Sequence, residues 1–105
     1  MGTAELLEGI RRELEAVYGD RLKGVLLYGS EARGDADPES DIDLMVLLQG
    51  PVETWKEIRR IVQAYYPLQL EAADRPIHAM PVDVDEFNAQ EFAVYRDARR
   101  EGLKL

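Results

Sequence analysis

Apolar residues recur at helical spacing in the first eighteen residues, and charged residues fill the positions between them. The recurring apolar residues are Leu6, Leu7, Ile10, Leu14 and Val17. This pattern predicts an amphipathic helix from about Thr3 to Tyr18. Gly19 and Asp20 follow and are predicted to end it.

Two short apolar runs come next, and each has the length of a buried strand. The first covers 22–28 and leads into Gly29 and Ser30, whereas the second covers 41–48 and ends at Gln49-Gly50. The polar stretch between them, EARGDADPES, contains a glycine and a proline. We interpret it as a short helical turn followed by a loop.

A second amphipathic pattern follows Pro51, which suits a first helical turn. Its apolar face is marked by Trp55, Ile58, Ile61, Val62 and Tyr65. We expect the aromatic residues Trp55, Tyr65 and Tyr66 to lie in the core or in an interface. Pro67 is predicted to stop this helix, and residues 68–70 and 77–82 are predicted as further strands.

The end of the chain predicts a last helix over 84–101, with a break near Asn88. Asp83 and Glu86 have the spacing of a capping box, and Gly102 would close the helix. This order of elements predicts an α/β or α+β fold, in which a small mixed β-sheet is flanked by helices. Because no repeat or linker interrupts the chain, residues 1–105 are expected to form a single domain.

Composition narrows the class of protein. The chain has 105 residues, of which 46% are hydrophobic and 32% are charged, as is typical of a globular domain. It contains no cysteine, which excludes disulfides and thiol catalysis. The net charge of −8 argues against direct nucleic acid binding. No apolar run is long enough to span a membrane and no signal peptide pattern is present, so we expect a cytoplasmic protein.

Two aspartates stand where the second strand begins. Residues i and i+2 of a strand project to the same face, so Asp41 and Asp43 are predicted to lie side by side. Adjacent carboxylates repel each other, and a cation removes this conflict. Mg²⁺ accepts one or two carboxylates together with phosphate oxygens. We therefore predict that Asp41 and Asp43 hold Mg²⁺, with a solvated strand face as the alternative.

Gly29 and Ser30, which follow the first strand, supply a complementary feature. Glycine permits an unusual backbone path, and the N–H groups at the start of a helix attract phosphate. The Ser30 hydroxyl suits a helix cap, a role that can coexist with phosphate binding. Together with the aspartates, this turn predicts a nucleoside triphosphate site in which Mg²⁺ bridges the phosphates to the carboxylates.

The segments YGSEARG and SDIDLMVLL combine into Gly-Ser, ten residues and Asp-x-Asp. This arrangement resembles the signature of the DNA polymerase β-like nucleotidyltransferase superfamily, and it is most similar to the minimal nucleotidyltransferases. The similarity extends to the DEF that starts the last helix and to the RREG near the end. The resemblance implies a stripped catalytic palm, with a mixed sheet flanked by helices, as a single minimal nucleotidyltransferase domain.

The resemblance also implies a reaction and a partner. Many family members accompany a small helical HEPN protein, often a ribonuclease toxin, and serve as its antitoxin. Some transfer AMP from ATP to a tyrosine of that toxin. By this analogy Gly29 and Ser30 bind the phosphates of ATP, and Asp41 and Asp43 hold Mg²⁺. The acceptor hydroxyl attacks the α-phosphorus, and pyrophosphate leaves.

Arg33 and Ser40 complete the candidate nucleotide-binding residues. A guanidinium at position 33 can contact phosphate, although a surface side chain or an ion pair to an acid in the loop is the alternative. For Ser40 the alternative is a hydrogen bond within its own loop.

One departure from the superfamily concerns its third carboxylate, because His78 stands at or near the expected position. An imidazole can act as a general base, although Mg²⁺ prefers oxygen ligands. His78 is therefore a candidate catalytic residue, with a surface or edge-strand histidine as the alternative.

Three functions follow from these features. The first is adenylyl transfer to a tyrosine or other hydroxyl of a HEPN-type partner, with the protein acting as antitoxin. The second is an antitoxin with weak or no catalysis that neutralises its partner by complex formation. The third is an antibiotic-modifying nucleotidyltransferase, which would need a further helical domain or a second subunit. The sequence leaves the oligomeric state open.

Overall fold

The computed structural model describes residues 2–34, 40–72 and 75–105. A single turn of 3-10 helix, Gly19–Arg21, joins the first helix to the first strand. The elements in chain order are α1 (Thr3–Tyr18), β1 (Leu22–Tyr28), α2 (Ser30–Arg33), β2 (Ile42–Leu48), α3 (Thr54–Glu71), β3 (Ile77–Asp83), α4 (Val84–Ala89), α5 (Ala93–Glu101) and β4 (Leu103–Lys104).

The four strands form one mixed sheet in the order β3-β2-β1-β4. β2 is parallel to β3, whereas β1 is antiparallel to both β2 and β4. This architecture confirms the predicted fold class. β4 was not predicted, because a strand of two residues is too short to show any alternation of apolar and polar positions.

Helices cover both faces of the sheet. α1 and α3 pack on one face, where the core includes Ile10, Leu14, Leu44, Val46 and Ile61. α4 and α5 pack on the other face, against Met45 and Leu47 of β2. β2 is therefore buried on both sides, which explains its nearly continuous apolar sequence. By the alternation of the strand, Asp43 shares the face of Met45, on which α4 and α5 pack.

α1 has the predicted bounds, but one predicted core position is wrong. The buried residues are Leu6, Ile10, Leu14 and Tyr18, and Val17 is 44% exposed. A stripe with four-residue spacing rotates by about 40° around the helix at each step. By the last turn the buried stripe has therefore moved away from Val17 and reached Tyr18.

α3 differs from its prediction at both ends. It begins at Thr54, so Pro51 precedes the helix, and it continues through Pro67 to Glu71. Residues 68–70 are therefore helical, and the predicted strand there is wrong. Leu68 is held against α1, since a Cβ placed on Gly9 would lie 3.1 Å from its Cδ1 atom. This packing outweighs the hydrogen bond that a proline inside a helix forfeits.

The aromatic residues of α3 divide between core and surface. Tyr65 is buried and its hydroxyl donates a hydrogen bond to the Ile77 carbonyl at 3.1 Å. Trp55 and Tyr66 are 78% and 54% exposed, so neither is in the core. One buried position of this helix is occupied by a carboxylic acid residue. This residue is Glu57, which is only 2% exposed.

The buried Glu57 carboxylate is satisfied by two donors. The Tyr18 hydroxyl donates to its Oε1 atom at 3.0 Å, and Arg21 Nη2 donates to its Oε2 atom at 3.1 Å. A buried charge is tolerated when it is paired and hydrogen-bonded in this way. The sequence did not indicate this contact, because its members come from three separate elements.

The predicted last helix is present as two helices, with the break near Asn88 as expected. The chain leaves α4 through Gln90, whose φ of 56° is left-handed, and α5 begins at Ala93. Asp83 caps α4, because its Oδ1 atom accepts the Asp85 N–H at 2.8 Å. At the other end the Gly102 N–H donates to the Ala98 carbonyl at 2.8 Å. No helix in the described ranges is long and apolar enough to cross a bilayer.

Candidate functional site

The two parts of the sequence motif meet at one end of the sheet. β1 ends at Tyr28, the chain turns at Gly29, and α2 begins at Ser30. Because β1 and β2 are antiparallel, the end of β1 lies beside the start of β2, and Tyr28 pairs with Asp43. The strand pairing therefore brings the Gly-Ser turn next to the two aspartates that follow it by more than ten residues.

Gly29 is required here for two physical reasons. Its φ of 77° lies in the left-handed region, which side chains other than glycine rarely adopt. A Cβ atom at this position would also lie only 2.8 Å from Asp43 Oδ2. The absence of a side chain therefore lets the Asp43 carboxylate lie directly against the turn.

Asp41 and Asp43 occupy different environments. Asp41 lies just before β2 and is exposed, whereas Asp43 is half-buried between its register partners Tyr28 and His78. Burial raises the pKa of the Tyr28 phenol, and the negative charge of Asp43 raises it further. Tyr28 therefore stays neutral beside the carboxylate pair.

His78, the candidate catalytic residue on β3, lies beside the aspartates. It pairs in register with Asp43 across the parallel strands, and its Nε2 atom is 3.1 Å from Asp41 Oδ2. Its side chain is 61% exposed on the edge strand. The imidazole is therefore open to a ligand as well as in contact with a carboxylate.

The donor chemistry of the pair suits Mg²⁺. Mg²⁺ keeps one or two protein carboxylates as ligands and completes its coordination shell with phosphate and water oxygens. Two carboxylates at the start of a strand can supply those protein ligands. In the part of the chain that the structure describes, no group of three or more His, Cys, Asp or Glu side chains could hold a metal ion. An ion at Asp41 and Asp43 would therefore depend on oxygens from water and a bound nucleotide.

The remaining candidate residues lie around the same end of the sheet. Ser30 is the first residue of α2 and Arg33 is its last. Arg33 is exposed, and its Nη1 atom lies 3.8 Å from Glu101 Oε2. Glu101 belongs to α5, and the acids of the loop that were considered as alternative partners lie outside the described residues. The predicted loop around Pro38 lies outside the described residues.

Arg75 is a residue that the sequence analysis missed. It is only 8% exposed, and its Nε donates to the Ser40 carbonyl at 2.7 Å. Its Nη2 donates to Glu31 Oε2 at 2.8 Å, and its Nη1 donates to Thr3 Oγ1 at 3.3 Å. The only sequence signal was an arginine directly before Pro76 and a buried strand, in a stretch interpreted as a turn.

A mixed sheet with a Gly-Ser turn packed against an Asp-x-Asp strand is the arrangement expected of nucleotidyltransferases. The model of the nucleotidyltransferase domain family matches residues 7–105. The chain belongs to this family, and the protein is a nucleotidyltransferase.

Two relatives come from Methanocaldococcus jannaschii. The putative protein adenylyltransferase MJ0141 is 33% identical over 79 residues, which are 73% of this chain and 79% of the relative. The putative protein adenylyltransferase MJ0604 is 47% identical over 34 residues, which are 32% of this chain and 34% of the relative.

Solved structures share the fold at 16–17% sequence identity. Spectinomycin adenyltransferase AAD(9) from Enterococcus faecialis, solved with ATP and spectinomycin, has a TM-score of 0.75; the match covers 99% of this chain but only 56% of that one. A toxin-antitoxin solved with AMP-PNP has a TM-score of 0.61, covering 92% and 69% of the two chains. A putative nucleotidyltransferase from Sulfolobus solfataricus has a TM-score of 0.63, covering 95% and 76%.

Proposed function

We propose that the protein transfers an adenylyl group from ATP to a hydroxyl of a partner protein. The observation that carries this proposal is the close approach of the Asp43 carboxylate to Gly29, which joins the turn and the carboxylate pair into one site. The names of the Methanocaldococcus relatives support protein as the acceptor. In this proposal residues 1–105 act as one minimal nucleotidyltransferase domain.

The phosphates of ATP would lie on the turn formed by Gly29 and Ser30. Arg33 and Ser40 would complete this nucleotide-binding surface. The Arg33 guanidinium is exposed at the end of α2, and a guanidinium can contact phosphate through several N–H donors. The Ser40 backbone is held in place through its carbonyl, which accepts a hydrogen bond from Arg75.

Asp41 and Asp43 would hold Mg²⁺, whose charge would offset that of the phosphates. The protein itself carries a net charge of −8, so its carboxylates would otherwise repel a triphosphate. This assignment also gives a role to two carboxylates that stand two residues apart at the start of a buried strand.

Transfer follows from alignment of the acceptor with ATP. The acceptor oxygen forms a bond to the α-phosphorus, the bond from the α-phosphorus to the bridging oxygen of the β-phosphate breaks, and pyrophosphate leaves. The hydroxyl proton passes to His78. In the tautomer in which Nε2–H donates to Asp41, the Nδ1 atom carries the lone pair that accepts this proton.

The partner we propose is a small helical HEPN-type toxin, and the acceptor is a tyrosine of that toxin. The support is the resemblance of the motif to minimal nucleotidyltransferases, together with a structural neighbour that is a toxin-antitoxin solved with AMP-PNP. The protein would then serve as the antitoxin, and modification of the tyrosine would silence its partner.

A second function is favoured by one observation, the imidazole at position 78. The register partner of Asp43 on β3 is His78, and the resemblance to the superfamily implies a carboxylate at or near this position. Without that carboxylate, transfer would be weak or absent. The protein would then neutralise its partner by forming a complex.

Label transfer distinguishes the two functions. The purified protein is incubated with ATP labelled at the α-phosphate, Mg²⁺ and a lysate of the source cell. The Asp43→Asn variant is the test, and Asp20→Asn, at an exposed position in the turn after α1, is the matched control. We expect a labelled protein band with the wild type and the control only, and chelation with EDTA should abolish it.

Mass spectrometry of the labelled band then identifies the acceptor residue. AMP on a tyrosine of a small helical protein supports the proposal in full. AMP on another residue supports transfer to a protein but overturns tyrosine as the acceptor. If a protein co-purifies with this chain but no band forms, transfer from ATP is overturned and binding alone remains.

A further inference from the structure

We propose that Arg75 is a positioning residue that fixes α2 against the start of β2, and thereby sets the spacing between the Gly29 turn and the aspartates. The catalytic consequence rests on the proposed function, because it assumes that the turn and the aspartates share one nucleotide. The positioning itself follows from contacts of Arg75 with both sides of the site.

The guanidinium of Arg75 connects three separate parts of the chain. It donates to Glu31 Oε2 in the first turn of α2, at 2.8 Å, and to the Ser40 carbonyl just before the aspartates, at 2.7 Å. A third hydrogen bond reaches Thr3 Oγ1 at the start of α1, at 3.3 Å. The two shortest bonds therefore end on the residues next to the two halves of the motif, Glu31 after Gly29-Ser30 and Ser40 before Asp41.

Burial makes these contacts strong. Arg75 is 8% exposed, and the Glu31 side chain with which it forms an ion pair is 21% exposed. Hydrogen bonds between ionised groups are shorter and stronger than neutral ones, and removal from water reduces their screening. Arginine suits this position because its rigid fork presents several N–H donors in fixed directions, which a lysine ammonium does not.

The backbone of Arg75 is itself anchored. Its N–H donates to the Ala72 carbonyl at 3.0 Å, and its carbonyl accepts a hydrogen bond from Gln69 Nε2 at 2.9 Å. The next carbonyl, that of Pro76, accepts the Ile42 N–H at 2.8 Å. The side chain of Arg75 thus reaches the site from a backbone position that is fixed between the end of α3 and the start of β3.

Gln69 explains how that point is fixed. Its amide group also donates to the Ala72 carbonyl at 3.1 Å, and its Oε1 atom accepts the Ile77 N–H at 2.8 Å. One side chain therefore binds the backbone on both sides of Arg75. The extension of α3 beyond Pro67 places Gln69 where it can make these bonds.

A second arginine provides a matched control. Arg21 also donates to a glutamate and to backbone carbonyls, through bonds to Glu57 Oε2, Pro51 O and Gln49 O of 3.1–3.2 Å. It lies just before β1, at the end of the sheet opposite to Gly29. Loss of the Arg21 guanidinium should lower the stability of the protein without changing the spacing between the Gly29 turn and the aspartates.

Hydrogen exchange tests the positioning without any nucleotide. The reporters are the Arg33 N–H, bonded to the Gly29 carbonyl at 3.2 Å, and the Ile42 N–H. In Arg75→Lys we expect both amides to exchange at least about tenfold faster, the ratio expected for loss of a hydrogen bond to a charged group. In Arg21→Lys their rates should stay at the wild-type value. Unchanged rates in a folded Arg75→Lys protein would overturn the proposal.

Glu31→Gln supplies a second variant if Arg75→Lys does not fold. It removes the charge of the ion pair at a more exposed position, and it should also speed exchange of the Arg33 amide. If Arg75→Lys does not fold, an unchanged exchange rate of the Arg33 amide in Glu31→Gln alone would overturn the proposal. If Arg75→Lys folds, the two effects should not add in the double variant, because both substitutions remove the same pair. Independent, additive effects would contradict the proposed link between Arg75 and α2.

Calorimetric titration with ATP and Mg²⁺ measures the consequence for the site. We expect Arg75→Lys to bind about tenfold more weakly than wild type, and Arg21→Lys to match wild type, even if both melt at lower temperature. Equal affinity in Arg75→Lys and wild type would overturn the catalytic consequence. If the wild type itself does not bind ATP, the proposed function fails, while hydrogen exchange still decides whether Arg75 positions α2.

Discussion

The Asp43 carboxylate lies against Gly29 so closely that a single added carbon on the glycine would be 2.8 Å from Asp43 Oδ2. A Cβ carbon does not approach an oxygen to that distance without one of them shifting. The carboxylate and the backbone turn therefore form one unit, and a change at either residue should disturb the other.

Gly29→Ala should disrupt the site more than the fold. The added Cβ would push the Asp43 carboxylate away, so we expect the affinity for ATP with Mg²⁺ to fall at least about tenfold. Gly34→Ala is the matched control. Gly34 has a φ of 78°, and no atom of the residues that the structure describes lies within 4 Å of its Cβ position. Both variants should lose about 1–2 kcal/mol of stability, because alanine is strained in the left-handed region. Calorimetry measures the affinity for ATP with Mg²⁺, and equal affinities of Gly29→Ala and Gly34→Ala would contradict the prediction.

Substitution of His78 should separate the two functions. If the imidazole accepts the hydroxyl proton, His78→Ala should lower the rate of adenylyl transfer about 100-fold, within the range of general base catalysis. His78→Asp should restore the rate or exceed it, because it places a carboxylate beside Asp43 in register. Rates are compared in the label-transfer assay with saturating ATP.

The control for this comparison is the complex with the partner. Both variants at position 78 should still bind the partner in a pull-down, because the change is confined to one exposed side chain. A His78→Ala protein that transfers AMP at the wild-type rate would rule out the histidine as the base.

Stability should fall at high pH because of Tyr18. Burial and the hydrogen bond to Glu57 raise the pKa of this phenol to about 12, above the ordinary value near 10. Between these values the unfolded chain loses a proton that the folded chain keeps, so the free energy of unfolding decreases as pH rises. In urea titrations followed by circular dichroism, Tyr18→Phe should show a shallower decrease. An unchanged slope would contradict this origin.

The two sides of α3 should respond differently to truncation. Ile61 is 0% exposed, and Ile61→Ala should lower the free energy of unfolding by about 2–5 kcal/mol. Trp55 is 78% exposed, and Trp55→Ala should change it by less than about 0.5 kcal/mol. Urea unfolding of both variants measures the difference. A large loss in Trp55→Ala would show that this side chain is covered in solution.

Local pattern was sufficient for most of the fold. α1, β1 and β2 have predicted bounds within one residue of those observed, because their apolar periodicity agrees with the side that each element buries. The prediction failed at Pro67, where a local rule that proline ends a helix was applied. The contact of Leu68 with α1 keeps the chain helical beyond Pro67, and no local sequence pattern indicates that contact.

The candidate site divides in the same way. The sequence by itself determined that two carboxylates two residues apart begin a strand, and that a Gly-Ser turn ends the strand before it. Backbone geometry and ligand preference depend on these local residues, so they also predicted a site for phosphate and Mg²⁺. The nucleotidyltransferase class was indicated by the resemblance of their arrangement to the superfamily signature.

Only the tertiary structure decided which distant groups complete the site. The parallel pairing of β2 with β3 places His78 beside Asp43, and Arg75 reaches Glu31 across 44 positions of the sequence. Such contacts depend on how strands pair and helices pack over long separations in the chain. A single side chain such as Arg75 carries no periodic signal, so its partners are known only once the chain is folded.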